Sequence, residues 1–379
     1  MTLLTVNAGS SSIRLAAFAH ETGGQRLLAS HHGNAEPARA AAVLRAFIEQ
    51  HALGDIVAVA HRVVHGGDKL VRSCVVDAEV EWEIERLSTL APLHNPPALA
   101  WLRACRALLG ADVPQVAVFD TAFYAELPDV ARTYALPRAL VAEHGLRRFG
   151  FHGLAHEAMW RRWRQLRPDA PQGGRAISLQ LGAGCSITAV RAGRAVDTSM
   201  GFSPVEGLVM ATRSGDVDPG LLIYLQRTAG ITPQRLETLL NEESGLCGVS
   251  GVSGDMRIVL GSNEPAARLA VALYCYRARK YIGAYLAALG GADAILFGGG
   301  VGEHAAVVRE TILAGMEWCG IAPDPQKNRD AAGTEGCISR IGSTIEVWVI
   351  PVNEADILVQ EAMTVTHLCE TNARKEGTP

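Results

Sequence analysis

The chain is poor in several features that would have settled its class at once. Aromatic residues make up only 6% of its 379 residues, and no stretch reaches 18 uninterrupted apolar residues. The most apolar segment, 264–290, is interrupted by Arg277, Arg279 and Lys280, which excludes a membrane-spanning helix there. Net charge is only −4, so neither nucleic acid nor an anionic membrane is expected as a bulk partner. The eight cysteines are scattered without a CxxC pair. That spacing excludes a zinc ribbon and a disulfide framework, and it points to a reducing, cytoplasmic setting. The opening MTLLTVNAGSSS lacks a basic and a long apolar region, so no secretory leader is expected. Neither a P-loop GK[ST] nor a dinucleotide GxGxxG is present.

What is present is a soluble-enzyme composition, 48% apolar and 20% charged, long enough for two domains. The stretch 197–219, DTSMGFSPVEGLVMATRSGDVDP, stands out. It is built of small, turn-forming and apolar residues around one basic side chain, Arg213. A guanidinium just before Gly215-Asp216 suits an anionic ligand, since it offers a planar fork of donors and stays charged. The competing reading is a buried loop with a structural Asp–Arg pair drawn from Asp197, Asp216 or Asp218.

Leu3–Val6 and Ile13–Phe18 read as two strands joined by the turn Asn7-Ala8-Gly9-Ser10-Ser11-Ser12. Ile177–Leu181 and Ile187–Val190 read as another such pair around Gly182-Ala183-Gly184-Cys185-Ser186. With one gap, AGSSSI and AGCSI are the same hairpin, roughly 175 residues apart, which predicts a duplicated α/β fold. Each tip gathers backbone N–H groups and hydroxyls, either as a phosphate cradle or as a solvated turn.

Arg62 falls inside the apolar strand Val57–Val64, a placement that requires a salt bridge or a ligand. Asp120 follows the buried strand Val116–Phe119, where a metal ligand and a helix cap are the two alternatives. Asn95 is expected to cap the helix that begins with Pro96-Pro97. His152, between Phe151 and Gly153 at the start of a helix over 153–166, is either a donor in a site or a satisfied core histidine. Glycine-rich loops are expected at 248–255 and 298–303, the second between a strand and a helix over 303–316, an arrangement that binds phosphate.

Together the motifs NAGSSSIRL, HRVVHGGDKL, PLHNPPAL, VFDTAF, RRFGFHGLAH, DTSMGFSPVEGLVMATRSGDVDP, GVSGDMR, FGGGVGEH and IPVNEADIL resemble the acetate kinase family, which includes propionate kinases. The resemblance runs from Val6 to about Glu361. It implies two ribonuclease-H-like domains of the actin-like ATPase type with an interdomain cleft. One comprises residues 1–122 with 355–379, the other, nucleotide-binding, residues 123–354. It implies an Mg²⁺-dependent transfer of the ATP γ-phosphoryl group to acetate, with Mn²⁺ as a substitute ion, in a cytoplasmic homodimer. On this resemblance Arg62 and Arg213 hold the carboxylate and the phosphoryl group, His152 donates to the latter, and Asp120 is catalytic. Asn7 and Glu354 serve the metal. Val64, Leu93, Phe151 and Pro204 line a pocket for the methyl group. Ser12, Arg14, Gln180, Gly182, Ala183, Gly184, Asp255, Met256, Arg257, Gly300, Val301 and Gly302 serve the nucleotide. The sequence departs from the family at Arg14 for lysine, at Gln180 and Ala183 for histidine and asparagine, at Gly254 for serine and at His304 for asparagine. These departures bear on the phosphoryl donor and leave the carboxylate and metal positions intact.

Overall fold

The computed structural model describes residues 1–9, 12–21, 24–34 and 36–366. Ser10 and Ser11 of the first turn, Cys369 and the polar tail lie outside the described residues. The chain divides into two compact units, one of Met1–Ala125 with the segment from Asn353 onward, the other Glu126–Val352.

The first unit carries strands β1 (Thr2–Ala8), β2 (Ser12–Glu21), β3 (Gly24–Asn34), β4 (Ile56–Val63), β5 (Cys74–Val75) and β6 (Gln115–Phe119). They form one sheet in the order β3-β2-β1-β4-β6-β5. β1 runs antiparallel to β2 and parallel to β4, and β4 runs parallel to β6. Alternation along the first hairpin puts Leu4, Val6, Ala8, Ile13, Leu15 and Ala17 into a core with Leu44 and Phe47 of helix Ala40–Gln50 and Trp101 of helix Asn95–Leu109. Each buried Leu, Ile, Val or Phe side chain there contributes about 1.5–3 kcal/mol.

The second unit carries β7 (Arg175–Leu181), β8 (Cys185–Arg191), β9 (Arg194–Thr198), β10 (Ala294–Gly298), β11 (Gly336–Cys337) and β12 (Glu346–Val349). Its sheet order, β11-β12-β10-β7-β8-β9, reads from the other end as the same arrangement. An antiparallel three-stranded meander is extended by two parallel strands in both units. The duplicated hairpin therefore marks a duplicated sheet. Helix Gly153–Leu166 packs Met159 and Trp163 against Ala176, Ala294, Leu296 and Ile350.

Several expectations need correction. Asn95 is the first residue of its helix, not the cap, and the structure buries it. Its side chain accepts from the His65 N–H and donates to the His65 and Ile84 carbonyls, so its polar groups are taken by a loop across the unit. The glycine-rich stretch at 248–255 begins inside a short helix, Gly245–Ser250. The glycines at 299–302 form the first turns of helix Gly299–His304, and the helix that follows is Ala306–Leu313. Glycine at 299 is required by its left-handed backbone and its close approach to β7. A Cβ on Gly299, whose φ is +75°, would sit 2.7 Å from the Leu181 carbonyl oxygen.

All seven cysteines among the described residues are free. Among the described residues no helix is long and apolar enough to cross a membrane.

Three histidines of the described residues are buried, His61 in β4, His65 just after it, and His156 in helix Gly153–Leu166. Burial pulls His61 down to about 4, against its hydrogen bond to Gln115, and pulls His156 down to about 3. An unfolded histidine takes its proton near 6.5. Between that value and the folded ones the unfolded chain binds more protons, so stability is present above 6.5 and is lost as pH falls. His61 and His156 each remove about 1.4 kcal/mol per pH unit across that window. Urea midpoints should therefore drop between about pH 7.5 and about pH 5.5, and His61→Gln should flatten the decline. A midpoint that does not move over this range would count against the account.

Candidate active site

At the carboxyl ends of the parallel strands β1, β4 and β6 the first unit gathers Asn7, Arg62 and Asp120. The register sets Asn7 beside Arg62 and Arg62 beside Val118, two residues before Asp120. Arg62 Nη2 donates to Asp120 Oδ2 at 2.5 Å, its Nε lies 3.1 Å from both Asp120 oxygens, and its Nη1 donates to Asn7 Oδ1 at 3.1 Å. Asn7 Nδ2 donates in turn to Glu354 Oε2 at 2.5 Å. Four residues expected to act together thus form one hydrogen-bonded chain. Burial opposes the charge on Arg62, but Asp120 and then Glu354 outweigh it and raise its pKa above the ordinary arginine value. Asp120 opens a 3-10 turn, Asp120–Tyr124, and its side chain pairs with Arg62. Among the described residues no group of three His, Cys, Asp or Glu side chains stands close enough to hold a metal alone. Two carboxylates and an amide oxygen do suit Mg²⁺, a hard ion that keeps waters and binds through one or two carboxylates plus phosphate oxygens.

Elsewhere in this unit, Val64 is buried at the end of β4, while Leu93 is 51% exposed. Ser12 accepts the Gly9 N–H with its carbonyl, closing the first turn, and Arg14 is exposed on β2 opposite Asn7.

The second unit brings together His152, Gly184 and Arg213. His152 sits at the head of its helix with φ +58°, a left-handed conformation that a side-chain-bearing residue adopts at a cost. A Cβ placed on Gly184 would come within 3.3 Å of His152 Nε2 and 3.6 Å of Arg213 Nη1. Glycine there keeps open a space that both side chains border. Arg213 is held by donating to the Pro204 carbonyl oxygen at 2.9 Å, and Ala211 donates to the Ala183 carbonyl, which ties the central stretch to the hairpin tip. No acidic side chain among the described residues pairs with Arg213. Burial lowers its pKa, opposed only by Cys185, so the guanidinium remains a cation that lacks a counter-ion. The expected alternative, a structural Asp–Arg pair, is not what this stretch forms. Asp216 pairs with Arg277 and takes the Tyr281 hydroxyl, while Asp218 caps helix Pro219–Thr228.

Beside the hairpin tip lies a cavity of about 1020 Å³. Of the residues expected to serve the nucleotide it is lined by Gly182, Ala183, Asp255, Met256, Arg257, Gly300 and Val301. Gln180, Gly184 and Gly302 do not line it. Gln180 ends β7 in register with Gly298, and its side-chain oxygen is buried without a partner. Asp255 caps helix Met256–Gly261, and the exposed Arg257 folds back on it. That hydrogen bond holds the Asp255 carboxyl down at about 2. Sequence reading did not flag the apolar wall made by Leu246, Leu260, Ala305, Ala306 and Val307, because small aliphatic residues carry no chemical signature. It also passed over Ser186 and His156, although HGLAH places His156 one helical turn beyond His152.

The family model described as the Acetokinase family matches residues 20–360. The chain belongs to the acetokinase family. Acetate kinase from Chloroherpeton thalassium is 49% identical over 314 residues, 82% of this chain and 75% of that protein. Among solved structures, acetate kinase from Porphyromonas gingivalis superposes with a TM-score of 0.87 at 36% identity, covering 96% of this chain and 99% of that one. A propionate kinase from Francisella tularensis gives 0.86 at 32% identity over the same shares. Both units thus have the actin-like ATPase fold of the acetokinases.

A part-buried arginine without a carboxylate partner predicts a measurable response to anions. Inorganic phosphate should raise the thermal midpoint, by about 2.7 kcal/mol of stabilisation at a hundredfold excess over Kd. Arg213→Met, which removes that charge at similar length, should fold at least as stably without ligand and lose the response. A phosphate-dependent shift that survives in Arg213→Met would show that the anion binds elsewhere.

Proposed function

We propose that the chain is an acetate kinase, transferring the γ-phosphoryl group of ATP to acetate and back. The observation that carries this reading is the pair of arginines in opposite electrostatic states. Arg62 is neutralised by Asp120 within an oxygen-rich cluster, and Arg213 is part-buried without a carboxylate. Acetate is ionised at neutral pH, as aspartate and glutamate are, so the reaction needs no general base. The obstacle is repulsion between two anions, and positioned cations answer it.

In this reading Arg213 takes the phosphoryl oxygens, and His152, bordering the same space, donates a hydrogen bond to them. Arg62 orients the acetate carboxylate. Asp120 holds Arg62 in place, and Asp120, Glu354 and Asn7 would hold Mg²⁺ with phosphate oxygens and water. The ion, when bound, spreads negative charge from the transferring group and its leaving oxygen. By family resemblance, Val64 and Leu93 of the first unit and Phe151 and Pro204 of the second would serve the methyl group. The Glu126–Val352 unit is the nucleotide-binding one, with the cavity beside the hairpin tip receiving ATP or ADP. The free cysteines accord with a cytoplasmic enzyme.

Propionate is the second acceptor to weigh, since Val64 leaves less room than a smaller residue would and one methylene is worth only about 1–3 kcal/mol. Acyl-hydroxamate formation with Mg-ATP should proceed with acetate, more slowly with propionate and least with butyrate. Arg213→Ala should lower it by roughly a hundredfold or more. A chain that binds ATP but turns over none of the three acids would be a nucleotide-binding relative without kinase activity.

We further infer a homodimer. Helix Pro219–Thr228, PGLLIYLQRT, buries none of its residues, and Leu221, Ile223 and Tyr224 are each about half exposed. Sedimentation velocity should give twice the chain mass, and Ile223→Glu should reduce it to one.

A further inference from the structure

His156 is the one fully buried histidine near His152 that the phosphoryl-transfer reading leaves without a task. Its Nδ1 lies 2.9 Å from Ser178 Oγ and its Nε2 lies 2.7 Å from Ser186 Oγ. Ser186 Oγ also lies 2.9 Å from His152 Nδ1. The sheet produces this arrangement directly. Ser178 and Ser186 stand on adjacent antiparallel strands, with Gln180 opposite Ser186 and Thr188 opposite Ser178. That register puts both serines on one face, diagonally related, and the helix lays His156 across them. Neither serine is exposed to solvent.

We propose that Ser178, His156 and Ser186 form a one-way hydrogen-bond relay that fixes His152 with its proton on Nε2, aimed at the space beside Gly184 and Arg213. The proposal rests on the acetate kinase reading for its purpose, but its direction follows from hydrogen-bond counting. His156 is kept neutral by burial, its pKa held at about 3, and so owns a single ring proton. Each serine hydroxyl owns one proton as well. With His152 also neutral, only two arrangements satisfy these counts.

In the first, Ser178 donates to His156 Nδ1, His156 Nε2 donates to Ser186, and Ser186 donates to His152 Nδ1. The remaining proton of a neutral His152 is then on Nε2. In the second, every donor is reversed. Ser178 must then point its proton at the Met159 sulfur, 3.7 Å away and a weak acceptor. A neutral His152 would also turn a lone pair towards the ground that Arg213 prepares for an anion. The first arrangement replaces a weak sulfur contact by a good nitrogen acceptor and removes that repulsion. The three residues are positioning residues. They supply an uncharged, oriented N–H at His152 without touching the substrate themselves.

The test begins without turnover. The full-length chain carrying ¹⁵N-histidine is examined by long-range ¹H–¹⁵N correlation near neutral pH, with His152→Gln and His156→Gln spectra assigning the two rings. Both rings should be protonated on Nε2. A His156 protonated on Nδ1 overturns the proposal, whatever the enzyme's activity. The kinetic arm uses Ser186→Ala, which should lower kcat about tenfold or more while both KM values stay within about threefold, as expected when an oriented transition-state donor is lost. Ser178→Ala, one link further away, should give a smaller kcat loss in the same pattern and stands in if Ser186→Ala does not fold. An unchanged kcat in the folded variant overturns the relay's role. If no acid is turned over at all, the kinase reading fails while the tautomer measurement still stands or falls alone.

Discussion

The ion pair between Arg62 and Asp120 is the constraint on which the first unit's chemistry depends. A guanidinium inside a sheet cannot be left alone, because an isolated buried charge would be far too costly. Asp120 meets both faces of its fork, Asn7 takes a third donor, and Glu354 completes the chain through Asn7. The partners come from positions 7, 62, 120 and 354, so the sheet order and the return of the chain after the second unit are both needed to assemble them. Removing one member of such a pair typically costs about 3–5 kcal/mol, since the other charge is stranded. The same four groups are therefore tied to folding as well as to chemistry.

The second unit follows the opposite policy. Arg213 is part-buried and donates to the Pro204 carbonyl and, softly, to the Met210 sulfur. The acids near it in sequence are engaged elsewhere, Asp216 with Arg277 and Tyr281, Asp218 with its helix. A fold that keeps an arginine without a counter-ion holds a site whose electrostatics are completed only by an anion. Gly184 and the left-handed His152 belong to the same arrangement, one removing a side chain and the other accepting backbone strain so that two side chains border one space.

How much of this was legible beforehand varies with the kind of signal. The duplicated sheet was readable because a glycine–serine hairpin leaves a recognisable string, and Arg62 was readable because a charge in an apolar strand demands an explanation. The site residues carried by long motifs were equally visible, and the structure joins Asn7, Arg62, Asp120 and Glu354 as one cluster. Asn95 misled because a polar residue before prolines fits a cap, and only tertiary contact shows its amide serving His65. The glycines at 299–302 misled because local propensity says loop, whereas the structure opens a short helix there, with Gly299 left-handed and close against the Leu181 carbonyl. Ser186 was invisible for a different reason. Its importance lies in the register that sets it diagonally from Ser178, and register is not written in composition.

The departures at Gln180 and Ala183 gain a physical meaning from this geometry. Ala183 forms part of the cavity wall, where a methyl group offers no hydrogen bond, unlike the asparagine expected from the family resemblance. Gln180 is different, because its amide nitrogen lies against Gly299 while its oxygen is buried with no partner. An orphan acceptor of this kind costs about 1–3 kcal/mol. An amide, unlike a carboxylate, can relieve that cost by rotating, because its two ends are nearly the same size and differ only in whether they donate or accept. Rotated, it would present N–H groups in place of the oxygen and could meet a phosphate, though as a neutral donor and not as a cation. The positive charge that a histidine could have contributed at this position is then absent, and the burden of neutralising the donor's phosphates falls more heavily on Arg213 and on the backbone N–H groups of the hairpin tip.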